Sequence, residues 1–558
     1  MKIMETETRA RIARPFKTLE ELYSNLDKLT PWPDTVELRE STEYVFSAGN
    51  AETLNEKLDK LDRDQQPKTI CCHDMKGGYL EDRFIDGSDA HDAYVFYNWN
   101  VIDTFIYFSH HLVTIPPYGW INAAHRHGVK VLGTIITEHG FGVQVWEKVF
   151  STTEETEKFA NALVQIAKFY GFEGWLLNVE NTIKREDVSK LLYFVRFLTN
   201  RIHEELEGSE IIWYDSVTCT GELNWQNQLN DQNSCYFLSC DGIFLNYNWS
   251  EKRLADSLAF ARKENRERDV YVGLDVWGRG CPGGGGFNSA FALDIIRKAG
   301  LSVAIFAHGW THEYFGSAYF YRIEDIFWAQ LMPYLYVHVP IIESEPFVSS
   351  FCRGIGKNYY RCGVISYEEQ GSSITGGNGN PFFNLNKQKH QVILPLKHSR
   401  IIDTTIIEED DNVPGSDNNP PIKEDNPSKK NEIKKIKEYI YETGFDVMKV
   451  KGQTVTFRAK SPAGMNFLEF QNDFAFDGGG CLKFIIKDPS VHYRLFLVHI
   501  DFSRDIQASV IYRMDNEEAH DPNEGFRNNL CLILGNDFTV ETIVPVETIA
   551  LDSGWKKR

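Results

Sequence analysis

Cysteines are scarce in this chain, ten in 558 residues, scattered singly apart from the adjacent Cys71 and Cys72. No CxxC pair and no His/Cys spacing suited to zinc occurs, which argues against a disulfide scaffold or a zinc module. Reduced, mostly buried thiols are expected, with no metal and no cofactor. Basic residues are also in deficit: 59 Lys and Arg stand against 79 Asp and Glu, for a net charge of −20. That balance disfavours a phosphate backbone and an anionic membrane surface as partners. No stretch approaches the roughly 20 apolar residues that a membrane helix requires. The opening stretch "MKIMETETRARIARPFKTLEEL" has no apolar core of a secretory leader. A cytosolic location is therefore expected, where the sequon Asn248-Trp249-Ser250 would carry no glycan. What abounds is aromatic: 12 Trp, 25 Tyr and 37 Phe, enough for a large core and for a sugar-binding cleft.

Between residues 68 and 335, short β-prone runs alternate with helix-like stretches. The strand candidates are 69–73, 102–109, 129–136, 174–180, 210–216, 242–247, 270–277 and 302–307. Helical signals are plainest in "STTEETEKFANALVQIAKFYG", with a Ser/Thr start, an acidic first turn, a 3.6-residue apolar period and a stop at Gly171. The stretches 186–206 and 250–268 read alike, whereas the first and fifth crossovers are irregular. Eight alternations predict an α/β fold, a (β/α)8 barrel with strands buried on both faces. The barrel is placed at 65–345, after a lead-in over 1–64. Beyond it, β-prone runs without regular helices predict β-sandwich modules, beginning at 346–407 and resuming at 433–558. Residues 408–432, charged and rich in Pro and Asn, read as a disordered acidic linker or insertion.

In such a barrel the chemistry sits at the C-terminal ends of the strands. The fourth strand candidate, within "GFEGWLLNVEN", ends in Asn178 and Glu180, whose i, i+2 spacing puts both side chains on one face. A carboxyl in apolar surroundings has a raised pKa and suits a general acid. A retaining glycosidase ordinarily needs a second carboxylate as nucleophile, which an amide cannot replace. Asn178 can instead hold a 2-acetamido group whose carbonyl oxygen attacks C1, the substrate-assisted route. The plainer reading makes Asn178 a helix cap and Glu180 a structural ion pair, and Glu138, Asp215 and Asp275 stay open as carboxylate nucleophiles. Other strand ends carry His73 and Asp74, Glu138, Tyr214 and Asp215, Asn246, Asn248 and Trp249, Asp275 and Trp277, and His308 and Trp310. The run "CPGGGGFN" lacks the Lys-Ser/Thr of a phosphate loop and reads as a flexible barrel loop.

Seven ordered blocks, among them "CHDMKGGYLEDRF", "IYFSHHLVTIPPYGWINAAHRHGVKVLGTIITE", "GFEGWLLNVEN", "IIWYDSVTCTGELNWQNQLN", "SCDGIFLNYNW", "VYVGLDVWGRG" and "GWTHE", resemble glycoside hydrolase family 85. The resemblance covers roughly residues 65–345. It implies a (β/α)8 barrel with accessory β-domains and endo-β-N-acetylglucosaminidase activity. The bond cleaved would be the β-1,4 link between the two core GlcNAc residues of N-glycans on glycoproteins, glycopeptides or free oligosaccharides, with transfer to an acceptor also implied. It further implies Glu180 as acid/base, Asn178 as the residue that orients the acetamide, and Tyr214 as assisting the oxazoline. Trp225 and Trp249 would line the acceptor and donor sides, and His73, Glu138, Asn246, Asp275 and Trp310 are further substrate-binding candidates. His139 and His308, in "TEHG" and "AHGW", depart from the family pattern at the expected cleft end.

Overall fold

The computed structural model describes residues 11–47, 60–342, 346–366 and 381–391, and in the C-terminal third 400–409, 434–442, 446–451, 454–459, 467–485, 495–496, 498–500, 507–514, 532–535, 540–543 and 549–557. All eight expected barrel strands form: β1 Thr69–His73, β2 Thr104–Tyr107, β3 Lys130–Glu138, β4 Gly174–Glu180, β5 Glu210–Tyr214, β6 Gly242–Leu245, β7 Val270–Asp275 and β8 Ser302–Phe306. Each pairs in parallel with its sequence neighbour, and the two-residue strand Val113–Thr114 between β2 and β3 adds antiparallel to β3. Pairing of β8 with β1 closes the barrel.

Alternation along the strands divides the core in two. Ile70, Cys72, Ile106, Leu132, Leu176, Ile212, Phe244 and Ala304 fill the barrel interior. Their odd-numbered neighbours on β1 to β6, such as Cys71, Phe105, Leu177 and Trp213, point outward into the layer beneath the helices. The helix Thr153–Tyr170 starts where the Thr152 hydroxyl accepts from the Glu155 amide, and stops at Gly171, whose left-handed φ of +74° suits glycine. Helices Val188–Glu205 and Glu251–Lys263 occupy the other two expected stretches. The crossover after β1 carries only 3-10 turns, and that after β5 a four-residue helix at Ser234–Phe237, matching the irregularity expected there.

Strand Tyr336–Ile342 leaves the barrel and pairs with Ser41–Ser47 on one side and with His499–Ile500 on the other. Described parts of 346–391 lie against the barrel, where the Trp99 indole donates to Gln388 at 2.6 Å and the Gln388 amide donates to Phe96 O at 2.9 Å. Arg353 is stacked between Tyr97 and Tyr321 of the barrel shell and Phe470 of the C-terminal region, 3.7, 4.7 and 4.3 Å from the ring centres. The C-terminal third is strand-rich: an antiparallel meander joins Arg400–Glu409, Lys434–Glu442, Asp446–Lys451 and Thr454–Ala459. The first two of these flank the expected linker, so 408–409 are strand and 410–432 lie outside the described residues. The nine cysteines among the described residues are free thiols.

Candidate active site at the C-terminal mouth of the barrel

Glu180 ends β4 with its side chain on the parity of Leu176, inside the barrel mouth. Its carboxylate accepts from two side chains: Asn178 Nδ2 donates to Oε2 at 3.2 Å, and Trp225 Nε1 donates to Oε1 at 3.2 Å. Burial raises the Glu180 pKa, opposed by those two hydrogen bonds and assisted by the negative charge of Glu138. Leu177 pairs with Trp213, which sets Asn178 level with Tyr214 on the next strand. The Tyr214 hydroxyl donates to Asn246 Oδ1 at 2.8 Å, and burial together with the nearby Glu180 charge keeps it a phenol. A proton donor, an amide and a phenol thus converge on one side of the mouth.

Trp225 reaches Glu180 from the loop after β5, and Asp215 holds that loop. Asp215 points away from the interior and is buried, accepting from the backbone amides of Gln226 (3.2 Å), Asn227 (2.7 Å) and Asn246 (3.3 Å) and from Asn233 Nδ2 (2.9 Å). Burial pushes its pKa up to about 6 despite these donors. With its oxygens committed outside the barrel, it is no candidate nucleophile. Asn227 adds a second brace, with its Oδ1 accepting from Asn246 Nδ2 (2.8 Å) and the Asn248 amide (2.9 Å). Asp215→Ala orphans four donors, and a loss of about 3 kcal/mol is expected in urea unfolding. A stability within 0.5 kcal/mol of the parent would show that the brace is unimportant.

Asp275, on the interior side at the end of β7, is buried and accepts from Arg279 Nε at 2.7 Å. The following glycine run is folded on itself: a Cβ at Gly278 (φ +81°) would lie 2.3 Å from Gly284 O, and one at Gly285 (φ +70°) 2.4 Å from Gly278 N. Close backbone contact, rather than looseness, is what those glycines permit.

Three expected cleft residues are not in the mouth. His73 follows Ile70 and Cys72 by odd parity, so it points outward and stacks against Tyr94 and Phe105. Trp249 is buried in the outer layer, its indole donating to Gly273 O at 2.8 Å. Trp310 is wholly buried among Phe287, Tyr314 and Phe315. The residues past a strand end no longer obey alternation, and large apolar rings there fall into the helix layer. His308 is likewise fully buried and sits away from the cleft, whereas His139 is exposed at the rim with a left-handed φ of +51°.

Neither ring nitrogen of His308 has a hydrogen-bond partner among the described residues, and its ring lies 5.3 Å from that of His73. Burial drives both histidines down, His73 to about 4. Burial also lifts nearby Glu324, held by Thr311 and Trp328, to about 8. Below pH 6.5 unfolding lets two imidazoles take up protons, while Glu324 gives one up until about pH 4.5. For these three groups the net uptake is about one proton, so together they remove about 1.4 kcal/mol of stability per pH unit as the pH falls between those limits. In His308→Leu the fall in urea-unfolding stability from pH 6.5 to pH 5 should be shallower than in the parent by about 1.4 kcal/mol per pH unit; an unchanged slope would contradict the assignment.

The sequence comparison decides the family: residues 79–359, half of the chain, match glycosyl hydrolase family 85. The chain belongs to that family. Among curated family relatives, the cytosolic endo-beta-N-acetylglucosaminidase of Homo sapiens is 49% identical over 52% of this chain and 39% of its own length. Cytosolic endo-beta-N-acetylglucosaminidase 1 of Arabidopsis thaliana is 36% identical over 69% of this chain and 54% of its own. The chain spans about 39–44% of the length of the vertebrate relatives it matches. Among solved structures, the glycoside hydrolase domain of Endo-D from Streptococcus pneumoniae superposes with a TM-score of 0.59 at 17% identity, covering 86% of this chain and 67% of that one. At that identity the likeness concerns the fold.

Among the described residues no group of three His, Cys, Asp or Glu side chains is arranged to hold a metal, and no helix is long and apolar enough to cross a membrane. Sequence reasoning overlooked His110 and Asn227. His110 lies one residue past the second strand candidate, so the strand-end rule applied to that strand would have found it. Asn227 had no such signal.

Proposed function

We propose that this chain is a cytosolic endo-β-N-acetylglucosaminidase that hydrolyses the β-1,4 bond between the two core GlcNAc residues of N-glycans, on glycoproteins, glycopeptides or free oligosaccharides. The names of its family relatives support the activity and the compartment. The observation that carries the mechanism is the Asn178 amide hydrogen-bonded to the pKa-raised Glu180 in the barrel mouth. In that arrangement Asn178 turns from Glu180 to the substrate acetamide and aligns its carbonyl oxygen with C1. Glu180 protonates the leaving oxygen and then deprotonates the water that opens the oxazolinium, giving retention. Tyr214, held as a phenol beside Asn178, donates to the developing charge. Trp225, half-exposed and hydrogen-bonded to Glu180, offers a face for the acceptor sugar, and an acceptor GlcNAc replacing water would give transglycosylation. The barrel is proposed to span 65–345, with the strand-rich C-terminal third as accessory β-modules.

A second reading has one specific observation in its favour. Glu138 pairs with Glu180 across the β3–β4 ladder, and His110 holds its pKa below the usual range, as a carboxylate nucleophile requires. Mass spectrometry of a digested high-mannose glycopeptide tests the activity: one GlcNAc left on the peptide is expected, and an intact glycan would overturn it. Inhibition by a thiazoline analogue of the acetamido sugar, without trapping by a fluorosugar, is expected of the substrate-assisted route. A covalent glycosyl-Glu138 would establish the second reading instead.

A further inference from the structure

His110 stands at the rim of the mouth between two carboxylates on either side of it. Its Nε2 lies 3.8 Å from Asp74 at the end of β1, and its Nδ1 lies 3.6 Å from Glu138 at the end of β3. Its ring meets the edge of Phe108 from the same loop, with centroids 5.5 Å apart. The neighbouring His111 has its ring 6.3 Å from that of Tyr79 and feels the charges of Lys17, His110 and Glu21. Glu138 in turn is the direct ladder partner of Glu180, so the imidazole, the rim carboxylate and the proton donor form one row across three strand ends.

The geometry points to His110 as a positioning residue: clamped as a cation between Asp74 and Glu138, it fixes Glu138 as an anion beside Glu180 and so sets the pH range over which Glu180 carries its proton. The ion pairs with Asp74 and Glu138 raise the His110 pKa to about 10, so the cation persists through neutrality. The two members of the clamp act on Glu180 with opposite sign, Glu138 favouring its protonated form and His110 disfavouring it. A sugar hydrolase with this row tunes its acid by a balanced pair instead of by burial alone. The charged groups around His110 are Asp74 just past β1, Glu138 at the end of β3, His139 opening the helix that follows β3, His111 from its own loop, and Glu180 from β4 beyond them. Glu313, in the helix that follows β8, feels the negative charge of Asp74 as well.

This inference rests on Glu180 acting as the acid, and its test separates the two. The alkaline limb of the kcat/KM profile reports the protonated acid in the free enzyme. In His110→Gln that limb should move to higher pH, and in Glu138→Gln to lower pH, with a peptide N-glycan as substrate and the full chain as enzyme. Opposite displacements are the signature, because a merely structural contact would change rate or stability without moving the limb in two directions. If the parent enzyme releases no glycan, the functional reading itself fails. If the parent is active and the limb stays put in both variants, or moves the same way in both, the clamp is overturned. Should His110→Gln not yield folded protein, Glu138→Gln decides alone: a limb that is unmoved or displaced upward overturns the proposal. Complete loss of turnover in Glu138→Gln, with the fold intact by circular dichroism, also overturns it and favours Glu138 as nucleophile.

Discussion

Glu180→Gln is expected to lose about 10²–10⁴-fold in kcat/KM against a natural N-glycan, the range in which a positioned acid/base contributes. The argument begins with the strand: β4 delivers Glu180 to the interior side, where burial disfavours the anion. A proton is therefore available at a pH where an exposed glutamate would have lost it. Glutamine keeps the shape but has no proton to give and only one acceptor oxygen. The present carboxylate accepts from both Asn178 and Trp225, so the amide must leave one of these donors unpaired. The indole of Trp225 is half-exposed and free to turn away, and its fluorescence should change in the variant. An activated aryl glycoside, whose leaving group needs little protonation, should recover part of the lost rate. Glu180→Gln retaining more than about a tenth of parental activity on the natural substrate would remove Glu180 from the role of acid, since so small a loss lies below the range of general acid catalysis.

Legibility in the sequence followed the reach of local rules. All eight barrel strands and the three long helices named from their patterns are where the apolar period and caps place them, because parallel strands buried on both faces and capped amphipathic helices write themselves into nearby residues. Asn178 and Glu180 were visible for the same reason: they end a strand, and alternation alone aligns them. His73 exposes the limit of reading strand ends without parity, since Ile70 and Cys72 claim the interior and send it into the aromatic shell. Trp249 and Trp310 fail differently. Past the last strand residue the chain turns, and whether a ring faces sugar or helix depends on packing that no period records. The brace from Asp215 and Asn227 to Trp225 was hidden because most of its partners are backbone amides, of the irregular crossover between β5 and β6 and of the turn after β6. Even so, the carboxylate that sequence offered as a nucleophile, Asp215, acts on the loop carrying Trp225.

Asn178→Ala is expected to separate the two halves of the reaction. Hydrolysis of an N-glycan should fall by about 10²–10³-fold, the cost of removing one donor that stabilises charge developing in the transition state. A preformed sugar oxazoline already contains the C1–oxygen bond that Asn178 serves to make, so its turnover should survive, with Glu180 still present to activate the acceptor. Asn178 is buried, donates to Glu180 Oε2 at 3.2 Å and is level with Tyr214, so a small void is left where the acetamide would be clamped. Loss of that donor also removes one of the two hydrogen bonds opposing the raised pKa of Glu180. The acid becomes a weaker one, and any residual hydrolysis should persist to higher pH. The two-carboxylate alternative predicts otherwise: with Glu138 attacking C1, Asn178→Ala would impair natural substrate and activated aryl glycoside by similar factors, and an oxazoline would have no privileged status. Equal losses on glycan and oxazoline would therefore sink the substrate-assisted route, while a wide separation between them would leave Glu138 its electrostatic part beside His110.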